Sequence, residues 1–304
     1  MAISRHQLVK ELEPGLNALF GLEYKRYDNQ HAEIYTSESS DRAFEEEVML
    51  SGFGNASVKS EGSGVAFDNA QESYSARYTH ETVALAFAIT EEAIEDNLYD
   101  RISSRYTKAL ARSMSNTKQV KAAAPLNNGL PTADAFDSGD AVSLFNTAHT
   151  TVSGTSVKNT LSTQADLNET SLEQAMIDIS GMTDERGLRI AAKAVKMIVP
   201  SANQFQAERL MKSQGRVGTA DNDINALGSM GMIPQGYRVN NYLTDDDAFY
   251  IITDVPNGMK MFNRAPLTTA MEGDFDTGNV RYKARERYSF GVSDFRGIFA
   301  SEGA

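Results

Sequence analysis

Apolar side chains recur at helical spacing between residues 90 and 122, and this stretch predicts the longest element of the chain. The apolar positions that share one side of the predicted helix are Ile94, Leu98, Ile102, Tyr106, Ala109, Leu110 and Val120. At about 1.5 Å per residue such a helix is roughly 50 Å long, well beyond an average helix. A compact domain covers only part of that length, so we expect another surface along the rest.

Both ends of this predicted helix carry the signals that helix termini prefer. Thr90 can serve as the N-cap and is followed by acidic residues, whereas Lys118 and Lys121 precede Pro125. Negative charge at the start and positive charge at the end favour the helix dipole. A coiled coil is the alternative, but polar residues such as Ser103 interrupt a heptad seam and argue against it.

The first 44 residues predict an arm. Residues 4–20 carry a helical stripe of apolar side chains, but Pro14 lies inside it and predicts a kinked or split, short helix. Residues 23–42 are polar and turn-rich apart from Ile34 and Tyr35, which is typical of a terminal segment that lies over another surface.

Residues 45–88 contain strand-like stretches separated by glycines, and this pattern predicts a long two-stranded hairpin. Its apolar positions include Val58, Phe67, Tyr78 and the run at 83–87. Because an isolated hairpin is at best marginally stable in water, we expect a partner surface on another chain. The alternative is that these strands pair into an ordinary sheet of their own domain.

Residues 169–255 mix helical and strand-like patterns, which predicts a compact α/β lobe. The predicted elements are a helix at 171–183, a strand at 194–199, a helix from 201, and strands at 237–242 and 248–255. Residues 216–232, rich in Gly, Asn and Asp, form the predicted exposed loop of this lobe. Residues 125–161 form a second loop region, with Phe136 and Leu144-Phe145 as isolated anchors.

The last segment alternates between apolar and basic positions, which predicts a strand. One side carries Tyr282, Ala284, Glu286, Tyr288, Phe290 and Val292, and the other carries Arg281, Lys283, Arg285, Arg287 and Ser289. Successive strand residues point to opposite faces, so one face is mostly apolar and the other is strongly basic. We expect the apolar face to be buried in its own domain.

Composition describes a globular, acidic protein. The 304 residues are 41% hydrophobic and include no cysteine, which excludes disulfides and thiolate metal sites. The start of the chain turns polar at once, so we expect no signal peptide or membrane span and a soluble, cytosolic chain at synthesis. The formal net charge of -12 argues against a role in reading DNA sequence.

Catalytic patterns fail one after another. His80-Glu81 begins a metalloprotease-like motif, but Ala84 occupies the place of the second histidine. No glycine cluster ends as a phosphate-binding loop does. A solvated turn explains Asp245-Asp246-Asp247 better than a cation site. The sequence therefore predicts no catalytic, cofactor or metal residues, and arms without an active site favour assembly over enzymology.

Four passages, taken in order along the chain, carry a resemblance to a known family. They are Ile94-Glu-Asp-Asn97, then Ser143-Leu-Phe-Asn-Thr-Ala-His149 with Asn159, then Lys196-Met-Ile-Val-Pro-Ser201, and finally Lys283-Ala-Arg-Glu-Arg-Tyr-Ser-Phe-Gly291 with Asp294. With their order and spacing, they resemble the major capsid proteins of tailed bacteriophages with the Hong Kong 97-type fold. Within that family, the chain is similar to the branch of the Mu-type major head subunit. The match spans the chain from about residue 45 to the end.

The resemblance implies an α+β Hong Kong 97-type fold in five segments. They are an N-terminal arm at 1–44, an extended hairpin loop at 45–88, a peripheral domain with the spine helix at 89–168, an axial domain at 169–256 and a return to the peripheral domain at 257–304. The implied function is a major capsid protein that self-assembles as hexamers and pentamers into an icosahedral shell around double-stranded DNA. The implied location is the virion, after assembly in the host cytoplasm.

The implied partners are further copies of the chain, a portal, scaffolding or decoration proteins, and packaged double-stranded DNA bound without sequence recognition. No membrane is implied. Some relatives join their subunits through lysine to asparagine isopeptide bonds, but the hairpin offers only Lys59 and its acceptor cannot be placed. That chemistry is therefore not carried over. The alternatives are an encapsulin-type shell with enzyme cargo, which nucleic acid content would distinguish, and a monomeric enzyme with an unfamiliar site.

Two oppositely charged groups form the predicted intersubunit contact. Glu45, Glu46 and Glu47 lie at the base of the hairpin, and the basic side of the closing strand carries Arg281, Lys283, Arg285 and Arg287. The resemblance implies that the hairpin crosses a neighbour's peripheral domain, which would bring the groups close. The alternatives are that the basic face is solvated or that it faces packaged DNA.

Overall fold

The structure is a computed structural model that describes residues 5–90, 92, 99–133, 136–216, 223–274 and 278–304, with the backbone alone for 5–12 and 99–102. The described helices are α1 (Arg5–Arg26), α2 (Tyr99–Asn128), α3 (Glu169–Ser180), α4 (Gln204–Lys212) and α5 (Ala226–Met230). Short 3-10 turns lie at Gln30–Glu33 and Phe295–Gly297.

The described strands form two four-stranded sheets and two small ladders. In chain order they are β1 (Thr36–Ser39), β2 (Phe44–Leu50), β3 (Glu72–Thr79), β4 (Glu81–Ile89), β5 (His149–Thr150), β6 (Ser156–Val157), β7 (Ala194–Val199), β8 (Tyr237–Val239), β9 (Phe249–Thr253), β10 (Met259–Gly273), β11 (Val280–Val292) and β12 (Ile298–Ser301). The sheet orders are β1-β10-β11-β4 and β12-β9-β7-β8, and the ladders are β2-β3 and β5-β6. The predicted α+β class is confirmed.

The first sheet is covered on one face by α1 and α2. Tyr282 and Ala284 of β11 pack with Leu110 and Met114 of α2 and with Phe20 of α1. The alternation predicted for the closing strand is confirmed, because the apolar side of β11 is the side that meets these helices. Burying this stripe of α2 fixes the long helix against the sheet and leaves its other side in solvent.

The second sheet forms the core of the lobe predicted at 169–255. Phe249, Tyr250 and Ile251 of its middle strand β9 are fully buried, and β7 has the predicted bounds. The final strand β12 pairs antiparallel with β9, so it completes this sheet and not the sheet of β11. In the predicted loop at 216–232, residues 217–222 lie outside the described residues and α5 occupies part of the remainder.

The hairpin is shorter than predicted. Strands β2 and β3 pair antiparallel from Phe44 with Thr79 to Leu50 with Glu72, as expected for its two arms. The run at 83–87 was predicted to continue the hairpin, and this is wrong. It lies in β4, which pairs antiparallel with β11 and forms an edge of the first sheet. For this strand, the alternative of an ordinary sheet within the domain is correct.

The long helix extends past its predicted end. Its predicted start, with the Thr90 cap and the acidic turns, falls largely outside the described residues. At the other end, α2 continues through Pro125 to Asn128, although a proline within a helix removes one hydrogen bond. Leu126 is fully buried against the core of the second sheet. Burial of a leucine stabilises by about 2 kcal/mol, which offsets much of the cost of the proline.

The N-terminal segment also differs from the predicted short helix on an extended arm. Helix α1 runs unbroken through Pro14, because Leu16 and Phe20 in the next turns are buried against α2. After α1 the chain stays on the same domain: Tyr35 is buried and its hydroxyl donates to the carbonyl of Ala122 at 2.6 Å. Strand β1 then pairs parallel with the start of β10.

Candidate assembly surfaces

The outer part of the hairpin exposes large apolar side chains. Residues 51–70 form no regular strand or helix. Within them Val58 is 98% exposed and Phe67 is 97% exposed. Together these side chains leave several hundred Å² of apolar surface in water, an arrangement that marks interaction sites in soluble proteins. The outer part of the hairpin is therefore a candidate contact surface.

The hairpin is anchored to the loop that follows α3, through Ser73 of β3 and through Asp68 and Asn69, where the outer part returns to β3. The hydroxyl of Ser73 donates to Glu185 at 3.1 Å, and Arg186 lies 3.6 Å from Asp68. Arg186 also donates to the carbonyl of Asn69. These contacts fix the direction in which the hairpin leaves the subunit, while its tip projects.

The three predicted acidic contact residues all have partners within the chain. Glu45 accepts from Ser40 at 2.7 Å. Glu46 lies 3.7 Å from Arg77 across the hairpin, with both side chains about half exposed. Glu47 accepts from Lys260 at 2.6 Å and from the hydroxyl of Ser293. Glu46 is therefore the carboxylate of the three that is best placed to meet another subunit.

The predicted basic residues share the exposed face of the first sheet, on the side away from α2. Lys283 and Arg285 are exposed, and no ion pair engages them among the described residues. Arg281 pairs with Asp274. Arg287 is half-buried, and its Nε is buried without a hydrogen-bond partner. Of these four, Lys283 and Arg285 offer the most accessible charge.

Within one subunit, one residue of each charged group, Glu45 and Arg287, influences the same neighbour, His80. Burial lowers the pKa of His80, the nearby charge of Arg287 lowers it further, and Glu45 raises it. The ring of His80 contacts the hydroxyl of Ser40, which donates to Glu45, and the hydroxyl of Ser289 on β11, each at 2.9 Å from the ring. The contact between the acidic and basic groups of different subunits stays a prediction.

The strand beside the basic face carries small side chains. On β4 the residues Thr82, Ala84, Ala86 and Ala88 are exposed and lie opposite the basic residues of β11. Small side chains leave a flat platform that a neighbouring backbone can approach closely. This platform with its flanking Lys283 and Arg285 has the shape and charge that an acidic hairpin segment fits.

Sequence reasoning missed a buried charged cluster behind the hairpin base. The guanidinium of Arg296, only 2% exposed, donates to Glu185 at 2.6 Å, to Asp294 at 3.2 Å and to the carbonyl of Thr183 at 2.8 Å. Because Glu185 also accepts from Ser73, this cluster links the C-terminal strands to the hairpin. The distant members share no local pattern, so no signal in the sequence identifies them.

His31 connects the N-terminal segment to α2, and the burial of its ring makes stability depend on pH. Its backbone N–H donates to Gln119 at 3.0 Å, and its ring contacts the Gln119 amide. Burial, aided by the charge of Lys118, lowers the pKa of His31 from 6.5 to about 4. In this window the unfolded chain binds more protons than the folded chain, so acidification destabilises the fold.

We expect the His31→Gln variant to lose part of the acid sensitivity of unassembled subunits. Between pH 6.5 and pH 4 the original chain should lose about 1–2 kcal/mol more than the variant, after allowance for the partly exposed ring. Urea denaturation at several pH values measures this difference. Parallel pH profiles for the two proteins would show that His31 is not the responsible group.

The described residues offer no sign of the sites that the sequence argued against. No group of three or more His, Asp or Glu side chains among them is placed to hold a metal ion. None of the described helices is long and apolar enough to cross a membrane.

Comparison with solved structures places the fold. A virus-like particle from Pyrococcus furiosus shares 10% identity, with 95% of this chain and 98% of that chain covered and a TM-score of 0.53. The capsid of Myoviridae phage XM1 shares 12% identity over 89% of each chain, with a TM-score of 0.52. A structure from Mycobacterium phage Adephagia shares 11% identity over 91% of each chain, also at 0.52. The predicted Hong Kong 97-type fold is confirmed by these matches.

Comparison of sequences gives the family. No curated protein matches the chain. A family model described as phage capsid protein matches residues 73–301, which is most of the chain. The finer similarity to the Mu-type branch stays a prediction. From the family match we conclude that the chain belongs to the phage capsid protein family and is a structural component of the virion.

Proposed function

We propose that copies of this chain assemble as hexamers and pentamers and close an icosahedral shell around double-stranded DNA. The observation that carries the proposal is the projecting hairpin, whose Val58 and Phe67 are almost wholly exposed although its base is firmly anchored. A subunit that exposes such an apolar surface is suited to bury it against another copy of the chain. Portal and scaffolding or decoration proteins are proposed as further partners.

We propose the five-segment division predicted from the sequence, with two adjustments that strand pairing supports. The hairpin ends with β3, since β4 belongs to the first sheet. The last strand β12 counts with the axial domain, since it pairs with β9. The segment at 1–44 then adds β1 to the sheet of β11, and the segment at 89–168 covers that sheet with α2. The lobe at 169–256 projects its loops toward the centre of each capsomer.

Negative-stain electron microscopy of the expressed chain tests the assembly. We expect closed particles of uniform size, or capsomers when a scaffolding protein is required. A stable monomer at all concentrations and salt conditions would contradict the proposal. An encapsulin-type shell is the second candidate, because the particle from Pyrococcus furiosus has a similar fold. Absorbance ratios of particles purified from infected cells distinguish them, since only a genome shell contains long DNA.

A charge swap tests how the hairpin contacts its neighbour. Arg285→Glu should impair assembly, and addition of Glu46→Arg should restore part of it, because the two side chains are exposed and of opposite sign. An exposed pair contributes only about 0.2–1 kcal/mol, but symmetry repeats it at every subunit. Particle yield, measured by sedimentation, reports the effect.

The matched control for the swap is Glu72→Arg, which reverses an exposed charge elsewhere on the hairpin. Combined with Arg285→Glu, it should restore nothing. If Glu72→Arg and Glu46→Arg restore assembly equally, the effect comes from net charge and the two residues are not partners. High salt should also weaken assembly, because exposed charges are screened beyond about 10 Å at 0.1 M.

A further inference from the structure

Helix α2 is basic in an acidic protein. Its 30 residues include six Lys or Arg side chains, whereas Asp100 is its only acidic residue. The whole chain has a formal net charge of -12. Positive charge is therefore concentrated on the long helix that packs against the first sheet.

Three of these cations form a stripe on the solvent side of α2. Arg105, Lys108 and Arg112 follow one another at spacings of three and four residues, so they share one face of the helix. All three side chains are exposed. Lys118 and Lys121, in contrast, pair with carboxylates of the sheet.

The stripe has no counter-charge among the side chains that the structure describes. Among the described residues no carboxylate forms an ion pair with Arg105, Lys108 or Arg112. Like charges at these spacings repel and destabilise an isolated helix. Because no described carboxylate relieves this repulsion, an anion outside the chain would stabilise the stripe.

We propose that this stripe, Arg105, Lys108 and Arg112, binds the phosphate backbone of the packaged double-stranded DNA, and that the solvent side of α2 therefore lines the interior of the shell. This inference rests on the proposed function. The three residues extend over about 10 Å of helix, which matches about three phosphates of one DNA strand. The stripe presents no array of base-reading side chains, so the binding is independent of sequence.

The position of the stripe relative to the basic face of β11 supports DNA as the ligand of the stripe. Tyr282 and Ala284 of β11 face α2, so Lys283 and Arg285 lie on the opposite side of the sheet. Two surfaces on opposite sides of one layered domain cannot both face the inside of a shell. The β11 face has a flat platform and nearby acidic groups, which suit a protein neighbour, whereas the stripe carries cations alone, which suit a polyanion.

The test measures binding of a short, mixed-sequence DNA duplex to unassembled full-length subunits by fluorescence anisotropy at a series of salt concentrations. The stripe variant replaces Arg105, Lys108 and Arg112 with glutamine, which preserves helix propensity. The matched control replaces Arg281, Lys283 and Arg285 with glutamine and changes the net charge equally. A double variant, Arg105→Gln with Arg112→Gln, should show an intermediate loss of DNA affinity and changes fewer residues of the helix.

We expect the stripe variant to bind DNA at least about tenfold more weakly at low salt. The slope of log affinity against log salt concentration should fall by about 2.7 for three lost phosphate contacts, and by about 1.8 in the double variant. The control should retain most of the affinity and slope. Thermal unfolding of all variants should match the original chain, because the replaced side chains are exposed.

Equal losses in the stripe and control variants would overturn the inference, because binding would then follow net charge. A loss confined to the control, or no DNA binding by the original chain at low salt, would overturn it too. If the stripe variant keeps its DNA affinity but no longer forms shells, the stripe contacts an acidic protein and the inference is also wrong. Electron microscopy of the original chain separates the two claims. If the original chain forms no shells, the proposed function is wrong. If it forms shells but the stripe variant binds DNA as well as the original chain, only this inference is wrong.

Discussion

Replacement of Arg296 with alanine should lower the free energy of unfolding of unassembled subunits by about 3–5 kcal/mol. The guanidinium is almost fully buried and is held between Glu185 and Asp294. Its removal leaves both carboxylates in the interior without a cation, and an unpaired buried charge is strongly destabilising. The ring of Phe295 also loses the guanidinium that lies 4.4 Å from its centre. Urea denaturation measures the loss.

The pH dependence of this loss identifies its cause. Burial raises the pKa of Asp294 even in the presence of Arg296, which lowers it. Without Arg296 the carboxyl should bind a proton at still higher pH, and a raised carboxyl pKa makes the folded state bind more protons than the unfolded state. The variant should therefore be less destabilised at pH 5 than at pH 8. A packing defect alone would give the same loss at both pH values.

An exposed ion pair supplies the control for Arg296. Arg238 lies 3.5 Å from Glu33, with both side chains about half exposed. Arg238→Ala should cost less than about 1 kcal/mol, because water screens such pairs. If Arg296→Ala costs no more than Arg238→Ala, the buried cluster contributes little, and the link between the C-terminal strands and the hairpin must depend on backbone contacts.

Elements with a strong local pattern were predictable from the sequence. The alternation from Tyr282 to Val292 predicted β11, and β7 was predicted with its observed bounds, Ala194–Val199. In these segments the periodicity of apolar residues matches the burial that the sheets impose. The expectation that the hairpin meets another chain stays a prediction, and the exposure of Val58 and Phe67 is consistent with it.

Elements whose pattern depends on a distant partner were not predictable. Strand β10 runs for 15 residues, yet Pro266 interrupts its sequence and argues against a strand. The pairing of β10 with β11 shifts register beside Pro266, where a missing N–H is tolerated. Only His80 separates β3 from β4, so no turn residue shows that the chain leaves the hairpin there and joins another sheet.

For the candidate contact surfaces, the charged residues were predictable from the sequence, but most of their partners within the chain were not. The sequence alone identifies both charged groups, because Glu45, Glu46 and Glu47 are consecutive and the basic residues of β11 alternate with apolar ones. Lys260 and Ser293, the partners of Glu47, come from distant segments and required the fold, whereas Ser40, the partner of Glu45, lies five residues away along the chain. Which of the acidic residues remains accessible therefore follows from packing, and Glu46 could not be singled out beforehand.

A single aspartate at the tip of the hairpin should abolish shell formation without affecting the fold. Phe67 is 97% exposed in the subunit, so Phe67→Asp should change the free energy of unfolding by less than about 0.5 kcal/mol. In a shell that covers this ring, burial of an unpaired carboxylate in its place costs several kcal/mol at every subunit. We expect particle yield to fall by at least about tenfold, measured by sedimentation and electron microscopy.

Two further substitutions show whether the effect arises from apolar contact. Phe67→Leu preserves an apolar side chain and should retain particles with reduced stability, because a smaller ring-free side chain buries less surface. Ser60→Asp adds the same charge to an exposed polar position of the tip and should assemble normally. Normal yields from Phe67→Asp would mean that the tip stays in water in the shell. Equal loss from Ser60→Asp would mean that added negative charge, and not removal of the ring, prevents the hairpin from meeting its neighbour.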